Sequence, residues 1–130
     1  MSSDVAYVLD ASAVLTILRN EAGAALVRTR LPHACISAVN LSEVVAKLAE
    51  LRVPDDVIGL TLEDLDLNVR SFDQHEAIYA GRLRMATKAR GLSLGDRACL
   101  SLAASLGATA VTADRAWRDV DVGVPIELVR

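Results

Sequence analysis

Val5-Ala6-Tyr7-Val8-Leu9-Asp10 decides the fold of this chain. Five apolar residues in succession, with no polar alternation, predict a short strand buried on both faces, as in a parallel sheet. The strand stops in a carboxylate, which delivers a negative charge to the rim of that sheet. Thr109-Ala110-Val111-Thr112-Ala113-Asp114 repeats the arrangement near the other end of the chain, with a buried strand over Thr109 to Ala113.

Working outward, Ala34-Cys35-Ile36-Ser37 reads as a second strand and Leu67 to Phe72 as a half-exposed one. Pro125 precedes a last short strand over Ile126 to Val129. Helices are expected over Ala13 to Arg19 and Ala22 to Leu31, with Asn20-Glu21 and Gly23 marking the break. Leu41, Val44, Val45, Leu48 and Leu51 recur at helical spacing, so Asn40 to Arg52 is amphipathic. Pro54 opens a helix over Asp55 to Asp66. Asp73 is a suitable N-cap for one running to about Arg90, stopped by Gly91, and Leu94 to Leu106 forms another, ended by Gly107. Strands interleaved with helices predict an α/β fold: a mostly parallel sheet covered on both faces. In such sheets ligands bind outside the carboxyl ends of the strands, the edge that Asp10 and Asp114 occupy.

The 130 residues fit a single domain spanning 1–130, and a hydrophobic fraction of 52% excludes disorder. Aromatics at 3% argue against a sheet that stacks bases on Tyr and Phe. A net charge of -3 gives no global attraction to nucleic acid, so such a substrate needs a local basic patch or bound metal. Cys35 and Cys99 lie in apolar segments without zinc-site spacing and read as core thiols of a reducing compartment. Met1-Ser2-Ser3-Asp4 lacks a basic leader, and no apolar run approaches the roughly 20 residues that span a bilayer. The expected location is the cytoplasm, with no membrane partner.

Four carboxylates carry the chemistry, and helix capping competes for each. Asp10 could cap the helix behind it, although Ser12 could do so instead and leave Asp10 free. Glu43 stands three residues after Asn40, as in a capping box, on the polar face opposite Leu41, Val45 and Leu48. Asp96 stands three after Ser93 in the same way. Its helix has a polar stripe of Arg97, Ser101 and Ser105, yet Asp96 shares a row with Cys99, Leu100, Ala103 and Leu106. A carboxylate on a buried face must be paired, hydrogen-bonded or metal-bound, because stranding it costs several kcal/mol. Asp114 could cap a short helix that includes Trp117, itself read as a packing anchor.

Taken together, two strand ends and two helix starts can converge on one edge, where the charges repel unless a cation sits between them. Oxygen-only ligands suit Mg²⁺ or Mn²⁺ and point to phosphodiester chemistry. His33 and His75 lie far from every motif. Arg97 and Arg115 adjoin the acids and could either meet phosphate or pair with the acids. Arg82, Arg84, Lys88 and Arg90 read as a solvated face, and Asp119 and Asp121 as loop charges.

Val8-Leu9-Asp10-Ala11-Ser12-Ala13, Asn40-Leu41-Ser42-Glu43-Val44, Leu92-Ser93-Leu94-Gly95-Asp96-Arg97-Ala98 and Val111-Thr112-Ala113-Asp114-Arg115-Ala116-Trp117 together resemble the PIN-domain ribonucleases. Within that family the chain is most similar to the VapC toxins of bacterial toxin–antitoxin pairs. The resemblance covers essentially the whole chain, and its four motifs stand in the family's order. It implies that Asp10, Glu43, Asp96 and Asp114 are the acidic quartet, with Ser12, Asn40 and Thr112 as polar residues around it. It further implies a three-layer α/β/α sandwich, Mg²⁺- or Mn²⁺-dependent endonuclease activity on RNA, inhibition by an antitoxin, and a homodimer. The helices between Glu21 and Asp66 are expected to supply part of the antitoxin and dimer surfaces.

Two other classes compete. A phosphoacceptor receiver-type signalling module is also short, α/β and acidic at strand ends. It requires an adjacent acidic pair after the first strand and a Lys on a late strand, and neither is present. A non-catalytic binding domain would keep the acids only as helix caps, and would show no Mg²⁺-dependent stabilisation.

Overall fold

The computed structural model describes residues 5–130; Met1 to Asp4, read above for the want of a basic leader, lie outside the described residues. Five strands, β1 (Tyr7–Leu9), β2 (Ala34–Ser37), β3 (Val69–Arg70), β4 (Thr109–Thr112) and β5 (Ile126–Leu128), form one sheet in the order β3-β2-β1-β4-β5. Every pairing is parallel. The chain builds outward from β1 to β2 and β3, then returns to place β4 on the other side of β1. The reversal falls between β1 and β4, where Leu9 stands beside Val111. Crevices at such a reversal are the ligand sites of open parallel sheets.

Among the described residues seven helices cover the sheet: α1 (Ala11–Leu18), α2 (Ala24–Arg30), α3 (Ala38–Glu50), α4 (Asp55–Leu65), α5 (Gln74–Arg82), α6 (Arg84–Thr87) and α7 (Leu94–Leu106). The period-two alternation of the strands divides the core in two. Leu9, Ile36 and Val111 face a cluster with Val14, Ile17, Val27, Val44 and Leu48. Val8, Cys35 and Ala110 face the opposite one, with Cys99, Leu100, Ala103 and Trp117. Cys35 and Cys99 are buried free thiols and Trp117 is a packing anchor, as their segments suggested.

Three elements depart from the sequence reading. The helix expected from Asp73 to Arg90 is broken into α5, α6 and a 3₁₀ turn at Lys88–Arg90. Thr87 is buried and its hydroxyl donates to the Leu83 carbonyl at 2.8 Å, a back-bond that bends helices. The strand expected over Leu67 to Phe72 shrinks to Val69–Arg70, an edge strand that pairs only with Ile36 and Ser37. The third helix begins at Ala38 rather than Asn40, because Ser37 caps it by accepting from the Val39 amide at 3.2 Å.

The polar stripe of α7 is not a solvated face. Residues 98 to 103 are all buried, and α7 packs on β1, β2 and β4 as well as on α3 and α5. The stripe meets α5, where Ser101 and Ser105 donate to the two carboxylate oxygens of buried Glu76 at 2.7 and 2.6 Å. Arg97 turns the same way and donates to the Ala80 carbonyl at 3.0 Å. A helix enclosed on all sides holds its first turn in a fixed place, and Asp96 lies in that turn.

Candidate active site

Asp10 leaves β1 at its carboxyl end, and its amide donates to the Val111 carbonyl of β4 at 3.1 Å. The side chain is only 3% exposed. One oxygen accepts from the Ala13 amide at 2.9 Å and from the Ser12 hydroxyl at 2.7 Å. The other accepts from the Thr112 hydroxyl at 2.5 Å. Asp10 is therefore the N-cap of α1 and also the centre of a network, so Ser12 does not replace it as cap. Each hydroxyl gives its proton to Asp10 and then accepts an amide from the β4 end: Ala113 to Ser12 at 2.9 Å, Asp114 to Thr112 at 3.0 Å. The ends of β1 and β4 are thus stitched through two side chains far apart in the sequence.

This buried carboxyl is pushed from 3.8 up to about 6. Desolvation by burial is the main cause. The hydrogen bonds from Thr112, Ser12 and Ala13 pull the other way, and the charge of Asp96 adds to the rise.

Glu43 projects from α3 toward the first turn of α7. Asn40, fully buried one turn earlier, donates through the same nitrogen to Glu43 at 2.9 Å and to the Gly95 carbonyl at 3.0 Å. The capping-box reading of Asn40 and Glu43 is corrected: Asn40 sits inside the helix and positions Glu43 instead. The Glu43 carboxyl is raised, chiefly by burial and in part by Asp96, against the lowering effect of the Asn40 bond. A Cβ on Gly95 would coincide with the Glu43 carboxylate, so only glycine leaves that room. Gly95 was not singled out from the sequence. Its signal was a glycine in the first turn of a helix, a place where glycine is costly without a reason.

Asp96 and Ser93 form a full capping box: Asp96 accepts from the Ser93 amide at 2.8 Å, and its own amide donates to the Ser93 hydroxyl at 3.2 Å. Asp96 is half-buried rather than sealed in the core, and its charge acts on both Asp10 and Glu43. Asp114 is exposed, and one oxygen caps the 3₁₀ turn Arg115–Trp117 by accepting from the Ala116 amide at 2.9 Å. Asp96 and Asp114 each commit one oxygen to a cap and keep the other. Among the described residues no three acidic, His or Cys side chains close tightly enough around one point to ligate an ion.

Neither thiol belongs to this set. Burial pushes Cys99 well above the usual thiol range, with Asp10 and Asp96 adding to it, and lifts Cys35 to about 11. His33 borders a separate cavity among Arg28, Pro32 and Arg70 at the amino end of the strands. His75 lies 3.7 Å from Glu76, away from the quartet.

A parallel sheet in 3-2-1-4-5 order, with Asp10 and Asp114 following the two strands that flank its reversal and Asp96 in the first turn of α7, defines a class of α/β domains with an acidic carboxyl edge. Residues 7–123 match the PIN domain family, and the chain belongs to that family. Its fold is shared by a chain of the DNA-bound VapBC complex from Salmonella typhimurium, 21% identical, covering 97% of this chain and 99% of that one with a TM-score of 0.75. A chain of a toxin–antitoxin complex from Klebsiella pneumoniae is 18% identical over 96% and 98% of the two chains, also at 0.75. One from VapBC-5 of Mycobacterium tuberculosis is 23% identical over 97% and 98%, at 0.65. No curated protein matches the sequence.

Proposed function

We propose that this PIN domain is a divalent-metal-dependent endoribonuclease and the toxin of a toxin–antitoxin pair. The observation that carries the reading is Asp10, a carboxyl buried at the sheet's reversal and made costly to ionise by its surroundings and by Asp96. A cation placed there would relieve that cost. The donor set fits Mg²⁺ or Mn²⁺, being all carboxylate oxygen. The buried Asn40 Oδ1, without a partner among the described residues, adds an acceptor that the hydration shell of such an ion could satisfy.

In this scheme Asp10, Asp96 and Asp114 hold the ion, and Glu43 holds a second ion or orients the attacking water. When bound, the metal supplies Lewis-acid activation of water and neutralises charge on the leaving oxygen. Ser12 and Thr112 fix both oxygens of Asp10, and Asn40 with Gly95 fixes Glu43. In-line attack on phosphorus then leaves a 5′-phosphate and a 3′-hydroxyl.

An antitoxin partner and a homodimer belong to the same reading. The chains it resembles come from toxin–antitoxin complexes, and Leu51, Val57 and Leu60 stand exposed on the α3–α4 hairpin, Leu60 at 65%. Among the described residues no helix is long and apolar enough to cross a membrane. The test is incubation of total RNA with purified protein, followed by mapping of the cut ends. Discrete Mg²⁺- or Mn²⁺-dependent cuts bearing 5′-phosphates are expected. Undiminished cleavage in excess chelator, or by Asp96→Asn, would overturn the scheme.

A further inference from the structure

The carboxylates explain where an ion would sit but not how a polyanion reaches it, because the chain is net negative and the site is acidic. A cavity of about 570 Å³ opens beside the cluster, lined by Ser12, Ala113, Asp114, Arg115 and Arg130. Three of its walls belong to the network around Asp10. The other two are guanidinium groups, and they are the only cations of its lining.

Three other arginines are already committed. Arg97 is turned onto the Ala80 carbonyl, and Arg30 forms a two-pronged pair with Glu127 at 2.9 and 2.7 Å. Arg90 lies 3.4 Å from Asp119. Arg115, by contrast, makes no ion pair among the described residues although it follows Asp114 directly.

Arg130 is brought to the cavity by construction. The chain leaves β5 and the Val129 amide donates to the Thr112 carbonyl at 3.0 Å, which sets the next residue beside the β4 end. Val129 is buried, and Gly23 packs against it with φ of 97°. A Cβ at Gly23 would strike the Val129 carbonyl oxygen. Glu21 then steadies Arg130 through a 3.4 Å contact, long and exposed enough to yield to a stronger anion. Glycine at position 23 thus lets the tail lie close, and the tail carries a cation to the site.

We infer that Arg115 and Arg130 form a phosphate-binding lip that holds the RNA backbone next to the bond to be cut. The inference rests on the ribonuclease reading above. Arginine suits the task because its planar fork meets phosphate through two hydrogen bonds. The two residues flank the acids and act on substrate affinity, not on the chemical step.

The test uses an RNA oligonucleotide that spans a cut mapped on total RNA. For Arg115→Ala and Arg130→Ala, KM should rise about tenfold each while kcat stays within about twofold. Binding of the fluorescein-labelled oligonucleotide in chelator should weaken in both variants. The slope of log Kd against log salt should shrink by about 0.7 for each arginine removed. Arg130→Lys should recover part of the loss, and Arg52→Ala, at the far end of α3, should change nothing. If the wild type cuts RNA but both variants keep its KM and salt slope, the lip is wrong and the nuclease reading stands. If the wild type cuts no RNA, the nuclease reading fails and the lip fails with it.

Discussion

Glu43 fills the space where Gly95 would carry a side chain: a Cβ at position 95 falls on its carboxylate. The contact joins α3 to the first turn of α7, and Asn40 closes it by donating to both partners. Because the obstructing group is the tip of a flexible side chain, the fold can accept a methyl there by pushing Glu43 aside. Gly95→Ala should therefore keep or slightly raise Tm, since alanine is favoured over glycine in a helix by up to about 1 kcal/mol. RNA cleavage should fall by at least about tenfold, as Glu43 leaves its place. A variant with full activity would remove Glu43 from the mechanism.

Asn40→Asp is nearly isosteric but replaces a donor by a second acid. The new carboxylate faces the Gly95 carbonyl and the Glu43 carboxylate, two acceptors, in a fully buried position. A loss of about 2–4 kcal/mol in urea unfolding is expected. Unchanged stability would mean that the Asn40 amide is not the tie between the two helices.

Asp10 sets a pH signature on the metal-free protein. Its folded carboxyl holds the proton up to about pH 6, the unfolded one only to 3.8. Across that window the folded state carries the extra proton, so this group's contribution makes stability fall as pH rises from 3.8 to 6. The contribution amounts to about 3 kcal/mol. Denaturant unfolding in chelator should show this decline in the wild type and lose it in Asp10→Asn. A wild-type profile parallel to that of the variant would count against the buried carboxyl.

Divalent cation should reverse that penalty at neutral pH. Saturating Mg²⁺ or Mn²⁺ is expected to raise Tm by about 5 °C, the effect of one to two kcal/mol in a domain of this size. Asp96→Asn and Asp114→Asn should blunt the rise without large changes in the metal-free Tm, because asparagine retains a cap oxygen. Equal metal stabilisation in all three proteins would place the ion elsewhere.

The sheet was legible because β1 and β4 lie in runs of apolar residues and threonine without charge, and each run stops at an aspartate, Asp10 or Asp114. Ala34 to Ser37 was read to the residue for the same reason. What misled was helix context. Asn40 looks like a cap because it precedes a helical pattern, but Ser37 captures that role and pulls Asn40 into the interior. The α7 stripe of Arg97, Ser101 and Ser105 looked solvated because a helical wheel cannot see that α5 brings Glu76 to it. Asp96 was judged by the same wheel and is half-buried, acting through its charge on Asp10 and Glu43. Gly95 and Arg130 were silent because their roles depend on a neighbour across the fold.

The stitch between β1 and β4 joins Ser12 and Thr112, which lie at opposite ends of the chain. During synthesis Asp10 and Glu43 leave the ribosome before Asp96, Thr112 and Asp114, and a domain folds as a unit. Until β4 inserts beside β1, Asp10 lacks the Thr112 hydroxyl and the Ser12 hydroxyl lacks the Ala113 amide. The network around Asp10 is therefore complete only once both sides of a stretch of 100 residues have come together in the folded domain.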